Sequence, residues 1–218
     1  MNLNIVYVSI FAFFGLIGYI FADYMQIYLR YRGAVFSKIA TGYSNAMKSM
    51  VVMRIGAVLY MFLIAFSVER GLASETMTKI ACVALPLCGL PIALMLPKLI
   101  ALRSIAPDSM KVARPKIMWE AVFYSAVAVT FNLLGLTIPF ILGIQFPEFR
   151  LTLAQTSIFF NVFYTMITVF VIESQFSKLV DSKDSKYHDF CYSLTVGRIL
   201  GSVSGGVVIC IIFFGKVF

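Results

Sequence analysis

Arg54 and Arg198 each stand well inside a run of apolar residues, and Lys48, Arg30, Asp23 and Glu173 stand inside such runs or near their ends. A charge sunk in hydrocarbon is costly, so such a side chain faces a bundle interior or a watery cavity and keeps a partner. Cations held this way suit an anion. Guanidinium groups form paired hydrogen bonds to phosphate oxygens and match a diphosphate. Asp23 and Arg30 are seven residues apart, two turns along one helical face, so that face carries an acid and a cation together. Thr41, Asn45 and Lys48, at spacings of four and three, share another face with Ser44 beside it, while Arg54 points elsewhere. A plainer reading stands beside this one. Lys48 and Arg54 can snorkel to the interface, Glu120 and Glu173 can be solvated at the ends of their runs, and Tyr24, Tyr28 and Tyr31 around Asp23 and Arg30 suit a headgroup belt. Asn132, Gln155 and Asn161 are neutral polar residues of the kind that bond across helices.

Other chemistry has little to work with. The sequence has no G-x-x-x-x-G-K-[ST] phosphate loop, no H-E-x-x-H and no G-x-S-x-G, so ATP hydrolysis and the commoner hydrolytic centres are not expected. The single His188 sits in a charged connection with Asp184 and Asp189 and reads as a solvated loop residue, since a catalytic base needs an ordered partner and a pocket. Cys82, Cys88, Cys191 and Cys210 form no C-x-x-C pair and read as packing thiols. Neither a metal nor another cofactor is expected.

The elements that must position these residues follow from composition. Of 218 residues, 61% are hydrophobic and 13% charged, too few charges to coat a water-soluble globule. Apolar runs fall at about 5–29, 39–68, 80–102, 118–144, 151–172 and 190–218, predicting an all-α bundle of six transmembrane helices in a single membrane domain, 1–218. The first run lacks a basic segment before it and is expected to be a span rather than a cleavable leader. Pro86, Pro91 and Pro97 predict a bent third span, and Pro139 a bend in the fourth. The net charge of +8 is read as a topology signal rather than as a nucleic-acid footprint. Arg30, Arg32, Lys38, Lys98, Arg103, Lys111, Arg114, Lys116, Lys178, Lys183 and Lys186 fall by the odd connections. Arg70, Lys79, Arg150 and Lys216 fall on the other side. The positive-inside rule then places both termini outside the cytoplasm.

The sixth run carries Ser193, Gly197, Gly201 and Gly205, a four-residue repeat of small side chains that predicts close helix packing. Arg198 lies about 100° around the helix from that stripe, where it can point into a cavity beside the contact.

These residues resemble the Amj family of lipid II flippases, the bacterial alternates to MurJ. Asp23, Arg30, Gly33, Lys38-Ile39-Ala40 and Arg54 resemble, in order and spacing, the family's acid, Arg, Gly, Lys-Ile-Ala and Arg. Pro147-Glu148-Phe149-Arg150, followed by Gln155, Ser157, Asn161, Thr165, Gln175 and Asp181, resembles its P-E-[YF]-R segment and the helix beyond, and Arg198 with Gly201 its terminal R-x-x-G. The chain departs from the pattern in being shorter around the second and third connections, in Asp23 where the family tends to have Glu, and in Glu173-Ser174 where it tends to have Asp-Pro. Residues 80–114 match only in hydropathy.

The resemblance implies a flippase, not an enzyme, carrying lipid II or a related undecaprenyl-diphosphate-linked glycolipid across the bacterial inner membrane. Arg54, Arg198, Lys48 and Arg30 are expected to compensate the diphosphate, with Asp23 and Glu173 limiting unpaired charge in the empty site and Asn161 as a further contact. Beyond this glycolipid and the surrounding membrane lipids, no partner and no oligomeric state can be read. A membrane-embedded enzyme acting on lipid phosphates, and a structural or assembly protein held by the glycine stripe, are the alternative readings; the first needs a nucleophile and base that the sequence does not pair.

Overall fold

The computed structural model of the protein describes residues 3–104, 115–182 and 186–214. Helices α1 (Leu3–Val35) and α2 (Ile39–Glu69) are the first two spans, α3 (Ser74–Leu87) and α4 (Leu90–Ser104) together form the third, and α5 (Trp119–Gln145) is the fourth. The fifth begins with a 3-10 turn (Pro147–Phe149) and runs through α6 (Arg150–Met166), a π-helical stretch (Ile167–Glu173) and α7 (Ser174–Asp181); α8 (Lys186–Phe214) is the sixth. Six helices are thus long and apolar enough to cross a membrane, and no strand occurs among the described residues. This is a multi-pass membrane architecture; its helices overlap the six apolar runs, and the first, third and fifth extend six to nine residues beyond them, to Val35, from Ser74 and to Asp181.

Local chemistry explains the breaks. The third span interrupts at Cys88 and Gly89, where Pro86 and Pro91 withdraw two backbone donors within one turn and a half. A single proline is tolerated: α5 continues through Pro139 and α4 through Pro97. Gly71, at φ +89°, turns the chain from α2 into α3 in a conformation that a side chain would strain.

Small residues set the packing. Where α1 meets α2, Gly33 and Gly42 approach so closely that a Cβ on Gly33 would stand 2.7 Å from the Cα of Gly42. The stripe on α8 packs against α5 as expected: a Cβ on Gly197 would stand 2.5 Å from the Val122 carbonyl oxygen, and one on Gly201 2.5 Å from that of Ala126. Ser193 Oγ accepts from the Met118 amide at 2.8 Å in the same seam. On α6 the contact is with α5, with Phe160 over Gly135. No packed interface joins α2 to α6 among the described residues.

Two expectations change. His188 is buried, with its Nδ1 2.6 Å from the Tyr31 hydroxyl, and Asp189 is buried beside it and accepts from the Lys116 amide at 3.0 Å. Both stand inside α8, which begins at Lys186, one turn earlier than the apolar run indicates. Cys82 and Cys210 form a disulfide across α3 and α8, their Cα atoms 5.9 Å apart, whereas Cys88 and Cys191 are free and buried. Lys111, Arg114, Lys183, Asp184, Lys216 and the expected end of the last span at Phe218 lie outside the described residues.

Candidate functional site

The end where α1 turns into α2 and α8 begins is called the proximal end, tied by Tyr31 and His188. The opposite, distal end holds the α2–α3 and α5–α6 turns, tied by Gln145 Nε2 donating to Ser74 Oγ at 3.1 Å. A cavity of about 660 Å³ opens between α1, α2, α8 and the fifth span, and Asp23, Arg30, Arg54, Glu173 and Arg198 all line it. Five of the seven residues expected at the site therefore converge on one hollow.

Within it the charges are organised as two ion pairs and one cation outside them. Arg198 Nε donates to Asp23 Oδ2 at 3.0 Å, and both residues are about 95% buried. Each is twelve residues from the proximal end of its own helix, about 18 Å along it at 1.5 Å per residue. Asp23 Oδ1 accepts from the Tyr164 hydroxyl at 2.9 Å, and an Arg198 terminal nitrogen donates to Ser125 Oγ at 3.1 Å. Nearer the proximal end, Arg30 is paired with Glu173 and lies over the rings of Tyr43 (4.5 Å) and Phe176 (5.7 Å). These aromatic faces hold the guanidinium by cation–π attraction while the carboxylate neutralises it. Arg54 is different. It is the midpoint of the 31-residue α2, it is exposed on the cavity wall, and no carboxylate among the described residues lies within 4 Å of it.

Donors without partners cluster here as well. Arg30 Nε and Thr168 Oγ1 are buried and have no hydrogen-bond partner among the described residues. Thr168 belongs to the π-helical stretch, which also carries Val169, Ile172 and Glu173 to the cavity wall. Such a widened turn is frequent at functional sites. The chemistry available is electrostatic: two guanidinium groups paired with the two carboxylates, a third outside any ion pair among the described residues, and hydroxyls, together able to give charge-assisted hydrogen bonds.

Two expected residues lie elsewhere. Lys48 is exposed and does not line the cavity, because the α2 residues that do, Tyr43, Met50, Met53 and Arg54, define a face from which Lys48 is turned by roughly half a helical turn. Asn161 is half-buried one turn beyond Thr165, outside the cavity wall, and its carbonyl accepts from Thr165 Oγ1 at 2.7 Å. Of the residues expected to bond across helices, Asn132 does so, accepting from the Tyr19 hydroxyl at 2.9 Å. Gln155 and Asn161 make no such side-chain bond among the described residues. The sequence reading missed Tyr164, Thr168, Tyr43 and Phe176. Tyr164 and Thr168 carry a signal in their spacing of three and seven from Asn161, but the π turn that brings Thr168 and Glu173 to one wall has none.

No protein-family model, no curated protein and no solved structure matches this chain.

Proposed function

We propose that the protein is a flippase for lipid II or a related undecaprenyl-diphosphate-linked glycolipid in the bacterial inner membrane, with the cavity receiving the diphosphate. The observation that carries this reading is Arg54: a guanidinium at the centre of a membrane span, open to a cavity and outside both ion pairs. A lone cation at that depth calls for an anion that arrives with its own hydrocarbon. Asp23 and Glu173 compensate the charges of Arg198 and Arg30 while the site is empty, so that one cation rather than three is left uncompensated. A diphosphate sugar cannot enter hydrocarbon and its isoprenoid chain does not leave it. The gap between α2 and α6 lets the head occupy the cavity while the chain stays in lipid. By the positive-inside rule the proximal end is cytoplasmic and both termini are outside, and alternating access exposes the cavity to one face and then the other.

Complementation tests this directly. In a bacterium depleted of its other lipid II flippase, the parent chain restores growth, and Arg54→Ala, present at normal membrane abundance, does not. Full complementation by Arg54→Ala rejects the assignment. The two other classes are separated by product. An enzyme acting on lipid phosphates converts lipid II on incubation with the purified protein, whereas a flippase returns it unchanged. Depletion of a scaffold leaves the precursor accessible at the outer face.

A further inference from the structure

We infer that the polar head crosses between the two ends of the bundle along a stripe on α6, through the slot that α6 forms with α2. This rests on the flippase reading and adds to it the route. Arg150, Ser157, Asn161, Thr165 and Thr168 follow one another at spacings of seven, four, four and three, which sets them on one helical face. The face beside it is apolar and exposed, with Ile158, Phe159, Val162 and Phe170.

The stripe joins two cavities. Thr165 and Thr168 line the charged cavity, and Ser157 and Arg150 line a second one of about 260 Å³ at the distal end. Asn161 lies midway, four residues from Ser157 and four from Thr165. α2 contributes to both cavities, with Arg54 in the first and Met61, Ala65 and Glu69 in the second, where α5 adds Gly135, Pro139 and Gly143. The fifth span is the least buried of the six, at 6% of its apolar window against 61% for α5; of the stripe, Arg150 and Ser157 stand beside Gly143 and Gly135 of α5.

A structural role for polar groups in a membrane helix is a bond to a neighbouring helix. Ser157, Asn161, Thr165 and Thr168 make no side-chain bond of that kind among the described residues, and Arg150 makes a single weak one to α5. Ser157 Oγ and Thr165 Oγ1 donate to carbonyls of their own helix, Ala154 at 2.8 Å and Asn161 at 2.7 Å. The amide of Asn161 is unbonded among the described residues and Thr168 Oγ1 is buried without a partner. Arg150 Nε donates weakly to the Gly143 carbonyl at 3.4 Å, and no carboxylate among the described residues is within 4 Å of its guanidinium. The slot thus has a cation outside any ion pair at each station, Arg54 and Arg150, with amide and hydroxyl groups between them to replace the water that a diphosphate sugar sheds. The apolar lip leaves the hydrocarbon chain outside.

The test uses the full chain, with fluorescently labelled lipid II as probe, and reads two quantities: binding in detergent and translocation rate in proteoliposomes. Asn161→Leu and Ser157→Leu are expected to bind within about twofold of the parent and to translocate about tenfold more slowly, a barrier increase near 1.4 kcal/mol. Asn161→Gln restores the rate, and Val162→Leu, on the lipid side, changes neither quantity. Asn161→Ala and Ser157→Ala replace the leucine variants if those do not fold. Stripe variants that keep the parent's rate, or a Val162→Leu that slows as much, overturn the route while leaving the flippase reading intact. A parent that neither binds nor translocates the probe removes both.

Discussion

The seam between α5 and α8 and the slot between α2 and α6 use similar residues to opposite ends. In the seam, Ser125 Oγ donates to the Leu194 carbonyl at 2.8 Å, Thr130 Oγ1 to that of Gly201 at 3.1 Å, and Ser193 receives the Met118 amide. Each of these hydroxyls makes a bond across the seam, Ser193 in addition to one to the Asp189 carbonyl of its own helix at 2.7 Å, and glycine lets the backbones touch. In the slot, Ser157 and Thr165 bond only to their own helix, and Arg54 has no carboxylate beside it. Polar groups at depth are bonded across the interface in the seam and mostly not in the slot, and the proposed function rests on that difference.

The comparison is broken most severely at the seam. Gly201→Leu puts a side chain where even a Cβ would stand 2.5 Å from a backbone oxygen, so overpacking of about 3 kcal/mol or more is expected and little monodisperse protein by gel filtration. Where the seam borders the cavity, Asp23→Ala strands Arg198 in a buried site and costs about 3–5 kcal/mol in a denaturant titration. The double variant Asp23→Ala/Arg198→Leu recovers a large part of that loss, because no charge then remains unpaired. Tyr19→Phe removes one interhelical bond to Asn132 and costs about 1 kcal/mol. On the lipid side of the slot, Phe159→Leu shifts stability by no more than about 0.5 kcal/mol, and a larger loss there means that α6 is packed rather than open.

The spans were legible because six long apolar runs have few other ways to bury their backbone groups, and the seam because a strict small-residue repeat has a direct packing consequence. Asp23, Arg30, Arg54, Glu173 and Arg198 were legible as charges out of place. Their pairing was not. Asp23 and Arg30 share a face of α1, yet each is neutralised by a residue from a distant span, Arg198 and Glu173. Lys48 and Arg54 were legible as cations on different faces of α2, but which of the two faces meets the cavity is set by the rotation of α2 and is not marked in sequence. His188 was misread because a charged connection hid the extra turn of α8 that buries it. Tyr43 and Phe176, the rings over Arg30, carry no mark in sequence that sets them apart from the other aromatics of an apolar chain.

The central claim is that Arg54 holds the anionic head of a lipid inside the membrane. It is tested most directly by purifying the parent and Arg54→Gln from bacterial membranes and quantifying the diphosphate lipid that accompanies each, alongside its melting temperature. The account predicts lipid close to one per chain in the parent and its loss in Arg54→Gln at an unchanged melting temperature. Equal amounts in the two proteins contradict it.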